Sequence, residues 1–340
     1  MFSPTPTLQT NPTASWEAAS KKTSLSLSLI VLALALGAGN GCESSLPPED
    51  PPSSKKKASE EPQKGRSRAS NQLTITELGR QPRVKLRYKS KPGEQHLYRV
   101  RVKLTHKRGG GESRARLVAV AMLENKGETR GGHLLELSFP HLDSYSPTVG
   151  RSEMIGLLTG WRRAFVLDPR GGIVRAVQGV QPTAPSESSR DLPAKSKALP
   201  LIGSATARWP KKAVGQGARW SFLSRQRLDV GGEAAKKRTL LVVDTSYHLE
   251  SLKKVRQKTT AKIVTSTTLR LEKKGEGTLG RGTGEATILF EVDTGTVQKV
   301  VSQVELEISP NPSTPTISHE QKLVLKRVRR RAVERFLENE

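Results

Sequence analysis

Three landmarks recur once along this chain at nearly one spacing, and they commit most of it to a duplicated β architecture. Gly93-Glu-Gln-His-Leu-Tyr98 is echoed by Gly215-Gln-Gly-Ala-Arg-Trp220, an offset of 122 (215 − 93). Val118-Ala-Val-Ala-Met-Leu-Glu124 aligns with Val242-Val-Asp-Thr-Ser-Tyr-His-Leu-Glu250 at 126 (250 − 124). Phe165-Val-Leu-Asp168 matches Phe290-Glu-Val-Asp293 at 125 (293 − 168), and each aspartate leads into a glycine-bearing reversal. A repeat found once points to a pseudo-symmetric pair rather than a solenoid. The two related halves are read as 83–180 and 207–309, each a meander of four or five strands. The Pro/Ser/Ala-rich segment from Gln181 to Ser204 joins them.

Strands are assigned because the apolar residues alternate. Ala286, Ile288, Phe290 and Val292 fall on one face, with Thr287, Leu289 and Glu291 opposite. After the reversal, Val300, Val304, Leu306 and Ile308 share a face while Gln303, Glu305 and Glu307 point away. One buried and one solvated face is the pattern of an antiparallel sheet. The expected fold is therefore all-β, a pseudo-duplicated antiparallel meander over 82–309, and sandwich, barrel and curved sheet all stay open. A curved sheet with an apolar concave face could hold an acyl chain. Residues 310–340 form a basic C-terminal segment, in which Gln321 to Val328 reads as a strand giving way to a short basic helix near Arg329.

The N-terminal part is of another kind. Lys21 and Lys22 precede an uncharged apolar run from Ser24 to Ala38, which ends in Gly39-Asn40-Gly41-Cys42. A basic start, an apolar middle and a small-residue end make a secretory signal peptide, here residues 1–41. The run is too short to span a bilayer, which takes about 20 apolar residues. Cys42 is the only cysteine, so no internal disulfide can staple the body. Its place resembles the lipidated cysteine of a bacterial lipoprotein, although Gly39 and Asn40 stand where such signals usually carry Leu and Ala or Ser. Residues 42–81, rich in Pro, Ser and mixed charge, read as a disordered tether. Together these features place the chain at the bacterial cell envelope, on the periplasmic face or the outer membrane, anchored through a lipid on Cys42.

The formal net charge of +25 would ordinarily suggest nucleic acid. Export argues against that partner, and only 4% of residues are aromatic, which leaves few platforms for stacked bases. Anionic phospholipid head groups and lipopolysaccharide phosphates are the expected polyanions. Lys326, Arg327, Arg329, Arg330 and Arg331 form the densest basic run and are the candidate contact with such a surface.

With these features on the page, the halves resemble a group of uncharacterised secreted bacterial lipoproteins with a β-rich domain of unknown function. The resemblance rests on Leu86-Arg-Tyr-Lys-Ser-Lys-Pro-Gly93, on Pro210 to Trp220, and on Gly282-Thr-Gly284 before the Phe290 to Gly295 hairpin. It implies no activity.

Residues that could carry chemistry are sparse. None of the six histidines forms the helical i, i+4 pair of zinc hydrolases. His133, His141 and Asp143 are the one close cluster, and zinc needs at least three convergent ligands. Asp168 and Asp293 recur as a pair, but hairpin corners account for both. No catalytic, cofactor or metal residue is assigned, and no cofactor is expected. The expected role is non-enzymatic binding or scaffolding. An envelope hydrolase built on the His/Asp cluster and a basic nucleic-acid-binding protein are the alternatives.

Overall fold

The computed structural model describes residues 72–145, 162–177, 207–228, 239–273, 277–309 and 316–333. The segment read as a signal peptide, Cys42, most of the segment read as a tether, and Gln181–Ser204 lie outside the described residues. Among the described residues there are twelve strands: β1 (Gln72–Glu77), β2 (Gln95–Arg108), β3 (Gly111–Thr129), β4 (Gly132–Tyr145), β5 (Arg162–Leu167), β6 (Ile173–Val177), β7 (Arg219–Leu228), β8 (Thr239–Val255), β9 (Lys258–Lys273), β10 (Gly277–Glu291), β11 (Thr296–Ile308) and β12 (Ile317–Val328). They form one sheet in the order β1-β7-β8-β9-β10-β11-β12-β2-β3-β4-β5-β6. Every pairing is antiparallel. The sheet does not close, since β1 and β6 are its two edges. The fold is thus an all-β antiparallel meander and not a barrel.

The order resolves into two five-strand meanders, β2–β6 and β7–β11, each flanked by a strand from the far end of the chain. β12 pairs with β2, and β1 pairs with β7. Two boundaries read from sequence move accordingly. The tether does not run to residue 81, because Leu73 and Ile75 alternate with polar residues and pair along β7 from Gln72 to Glu77. The β body does not stop at 309, because β12 sits between the meanders with alternate residues buried from Ile317 to Leu325. A helical turn at residues 330–333 follows it.

The opening of each meander superposes in hydrogen bonding at one offset, 124 (217 − 93 and 249 − 125). The Gly93 N–H donates to Asn125 O at 2.7 Å, and the Asn125 N–H to Glu94 O at 2.9 Å. In the second half the Gly217 N–H donates to Leu249 O at 2.8 Å, and the Leu249 N–H to Ala218 O at 2.9 Å. Gly93 and Gly217 both have positive φ, 78° and 85°, which glycine tolerates without steric cost. The structural partner of Gly93 is therefore Gly217, not Gly215.

The segments that precede β2 and β7 each reach the opposite half, although the Tyr88 N–H also donates to Pro169 O of its own half at 2.8 Å. Tyr88 enters the core while the Lys89 N–H donates to Gly295 O, at the β10–β11 corner. Trp209 enters the core while its N–H donates to Arg170 O, at the β5–β6 corner. Tyr88, Trp209 and Phe290 meet with ring centroids 4.8–5.6 Å apart, within the range of favourable aromatic pairs.

Gly280, Gly282 and Gly284 lie inside β10, not in a loop beside it, and face the core. A Cβ at Gly282 would stand 2.4 Å from Glu305 O and 3.1 Å from the Leu306 side chain; one at Gly284 would stand 2.7 Å from Val304. This bare track lets Val304, Leu306 and Ile308 of β11 lean over β10. There they join Leu241, Val243, Leu269, Leu271 and Ile317 in an apolar cluster separate from the main core. Gly282→Val would force the two strands apart. The expected cost is at least about 1–3 kcal/mol, as for overpacked cores, read as a lowered urea midpoint.

Candidate functional site

The concave side of the first meander is hollow. Its recess holds a cavity of about 100 Å³ within an open region of about 990 Å³ that includes solvent. Val100, Leu135, Leu137, Phe139, Phe165 and Leu325 are among the residues that give it apolar walls. Its polar groups, Lys89, Ser90, His96, His133 and Thr296, gather where the strands end at hairpin corners.

Among the described residues, the second meander fills the corresponding place differently. At the 124-residue offset, the cross-strand pair His96–Leu123 of β2 and β3 corresponds to Trp220–Tyr247 of β7 and β8. Trp220 and Tyr247 stack with centroids 5.2 Å apart and planes 3° from parallel. The Trp220 indole N–H donates to Arg208 O at 2.8 Å, and Trp209 packs edge-on to the same ring. One half sets stacked rings there; the other puts an imidazole and a leucine at the same place.

His96 is only 5% exposed, and neither ring nitrogen makes a hydrogen bond. Its Nε2 lies 3.5 Å from Glu94 Oε1, close enough for charge interaction but without hydrogen-bond geometry. Burial lowers its pKa, the nearby Arg327 lowers it further, and Glu94 opposes both. Ser90 Oγ and His133 Nδ1, at the same end, are also buried without a hydrogen-bond partner. Buried polar atoms are nearly always paired, so such a cluster of orphans marks a place for water or ligand. Burial pushes the Tyr98 phenol up to about 12, so it stays a neutral wall.

A second polar level crosses the interior between the two apolar clusters. Ser224, Thr245, Thr265, Ser302, His319 and Gln321 are all buried there. His319 Nδ1 lies 3.1 Å from His106 Nδ1, and burial, with His106 second, depresses its pKa to about 4. The folded imidazole thus stays neutral down to about pH 4, whereas the unfolded one takes up a proton near its ordinary 6.5. Between those values the unfolded chain binds more protons, so stability falls as pH drops through that window. The contribution is on the order of 3 kcal/mol at most. Thermal melts should drop between pH 6.5 and 4, and His319→Gln should flatten that limb, leaving the smaller contribution of His96.

The residues singled out in the sequence are placed as follows. His133 and His141 stand eight positions apart on extended β4, a separation of roughly 25 Å, and Asp143 lies two residues further on. Among the described residues no cluster of three metal-ligating side chains forms. Asp168 accepts from the Arg170 and Gly172 N–H groups and lies 3.9 Å from Arg208. Asp293 accepts from the Thr259 N–H. Both carboxylates hold corners.

In the basic run, Lys326 is exposed on the convex face and directly opposite Lys299 and Arg99 on the neighbouring strands. Arg327 has the opposite orientation, and its guanidinium donates to Thr296 Oγ1 at 2.9 Å, beside the recess. Arg329, Arg330 and Arg331 are exposed around the helical turn. Cys42 lies outside the described residues. No helix among the described residues is long and apolar enough to cross a membrane.

Sequence reasoning passed over His96. Aligning the halves at 124 instead of 122 would have set it against Trp220 and exposed the missing ring. No protein-family model and no curated protein match the chain.

Proposed function

We propose that this is a lipid-anchored cell-envelope protein whose first meander binds an apolar chain of the acyl type, without catalysing a reaction. The observation that carries the reading is the exchange of the stacked Trp220–Tyr247 pair for His96–Leu123 over an apolar recess. A linear chain suits such a site because each buried methylene contributes about 0.8 kcal/mol without needing a polar partner. The Ser24–Cys42 leader supports attachment through a diacylglyceryl and acyl group on Cys42, with the Pro-rich tether holding the body away from the bilayer.

Contact with anionic lipid or lipopolysaccharide is supported by the exposed cross-strand pair Lys299–Lys326. Like charges directly opposite one another in a sheet are destabilising, and a polyanionic surface would relieve them. A hydrolase reading is disfavoured by the separation of His133 from His141 and by the corner-holding bonds of Asp168 and Asp293. Nucleic acid remains the third reading; a protein recovered unlabelled from the cytosol would favour it.

Two measurements check this. Cells fed labelled palmitate should incorporate it into the wild-type chain at the membrane, and Cys42→Ala should lose both label and membrane association. The double variant His96→Trp, Leu123→Tyr transplants the filler of the second half. It should abolish uptake of N-phenyl-1-naphthylamine, followed by fluorescence, while the circular dichroism of the folded sheet persists. Undiminished uptake would place the apolar site elsewhere.

A further inference from the structure

The polar end of the recess carries more than a lid for a hydrocarbon tail would need. We infer that it is a receptor for an anionic head group, so that the ligand is a single-chain amphiphile ending in a carboxylate or a phosphate. This rests on the apolar-chain reading above and adds the chemistry of the other end.

Two cations converge there from elements far apart in sequence. Lys89, from the segment that reaches the second half, donates through Nζ to Val292 O and Asp293 O at 3.3 and 3.1 Å, which leaves a third N–H of the ammonium. Arg327, at the end of β12, is directly opposite Tyr98 in register and spends one guanidinium N–H on Thr296 Oγ1. Lys89, Tyr98 and Thr296 all line the recess. The orphan atoms lie with them: both nitrogens of His96, which is 95% buried, and Ser90 Oγ. A neutral imidazole and a hydroxyl can each donate one hydrogen bond.

An oxyanion would therefore meet two charged donors and two neutral ones, the charge-assisted bonds being about twice as strong as neutral ones. The carboxylates nearest these groups are already engaged: Glu291 accepts from Lys258 Nζ and from Gln298 Nε2, each at 2.9 Å. Glu94 accepts from the Lys91 N–H at 3.0 Å through Oε2, while Oε1 faces His96. His133, also on this end, faces Glu128 at 4.0 Å rather than the cations. In the second half Trp220 occupies the position of His96 and spends its N–H on Arg208 O.

The test is displacement of N-phenyl-1-naphthylamine from the full chain by three competitors with the same sixteen-carbon tail. Palmitate and 1-palmitoyl lysophosphatidate should displace it at concentrations about tenfold lower than hexadecanol, a difference of about 1.4 kcal/mol. The better of the two anions identifies the head group as carboxylate or phosphate. Lys89→Gln with Arg327→Gln should erase the preference while leaving probe affinity within about twofold. His96→Leu should reduce the preference without lowering affinity for hexadecanol. Equal displacement by all three in the wild type, with the probe bound, would overturn the inference and assign the orphan atoms to water. Failure of the probe to bind at all would overturn the apolar-chain reading and this inference with it.

Discussion

The pairing of β12 with β11 on one side and β2 on the other is the contact on which the sheet depends. Without it the two meanders would end in long unpaired edges, which expose rows of unsatisfied N–H and C=O groups. With it, 12 strands share one continuous ladder and one concave face. The same strand supplies Leu323 and Leu325 to the wall of the recess and Arg327 to its polar end. A chain segment that reads as a basic tail is structurally the centre of the molecule.

Much of the architecture was legible because solvent enforces period two. The faces assigned to Val300–Ile308 hold, and Ile288, Phe290 and Val292 are buried as read, but Glu291, read on the solvated face, is buried where the register shifts at the corner. The boundaries were harder. β1 has only Leu73 and Ile75 to mark it, too few to stand out from a polar tether. β12 is legible as a strand from Gln321 to Val328, but Lys322, Lys326 and Arg327 set it apart from the apolar body, so its seat inside the sheet was not. The repeat was visible, but identity misplaced its phase at the opening: Gly215 and Gly217 look alike in sequence, and only Gly217 has the left-handed backbone of Gly93.

The site was least legible because a cavity is an absence, and a sequence records only what is present. His96 gave no motif, and its meaning depends on what occupies the same place in the other half. His133 and His141 look close in sequence yet are drawn apart, because extended backbone separates residues by about 3.3 Å each. Duplication thus yields an internal comparison, in which one meander sets the stacked Trp220 and Tyr247 where the other sets His96 and Leu123. The polar level through Ser302, His319 and Gln321 shows that the interior tolerates such atoms at a cost in acid stability.

Contact across the halves also sets a schedule. The first meander lacks its flanking partner until residues near 328 have been made, and the lining segment at Tyr88 lacks its seat until the corner at Gly295 exists. Such distant pairings make for slow folding, because loop-closure entropy is paid before the contacts return it. A nascent polypeptide of this design cannot close its sheet until nearly all of it has been made, so the order of synthesis and the order of assembly run apart.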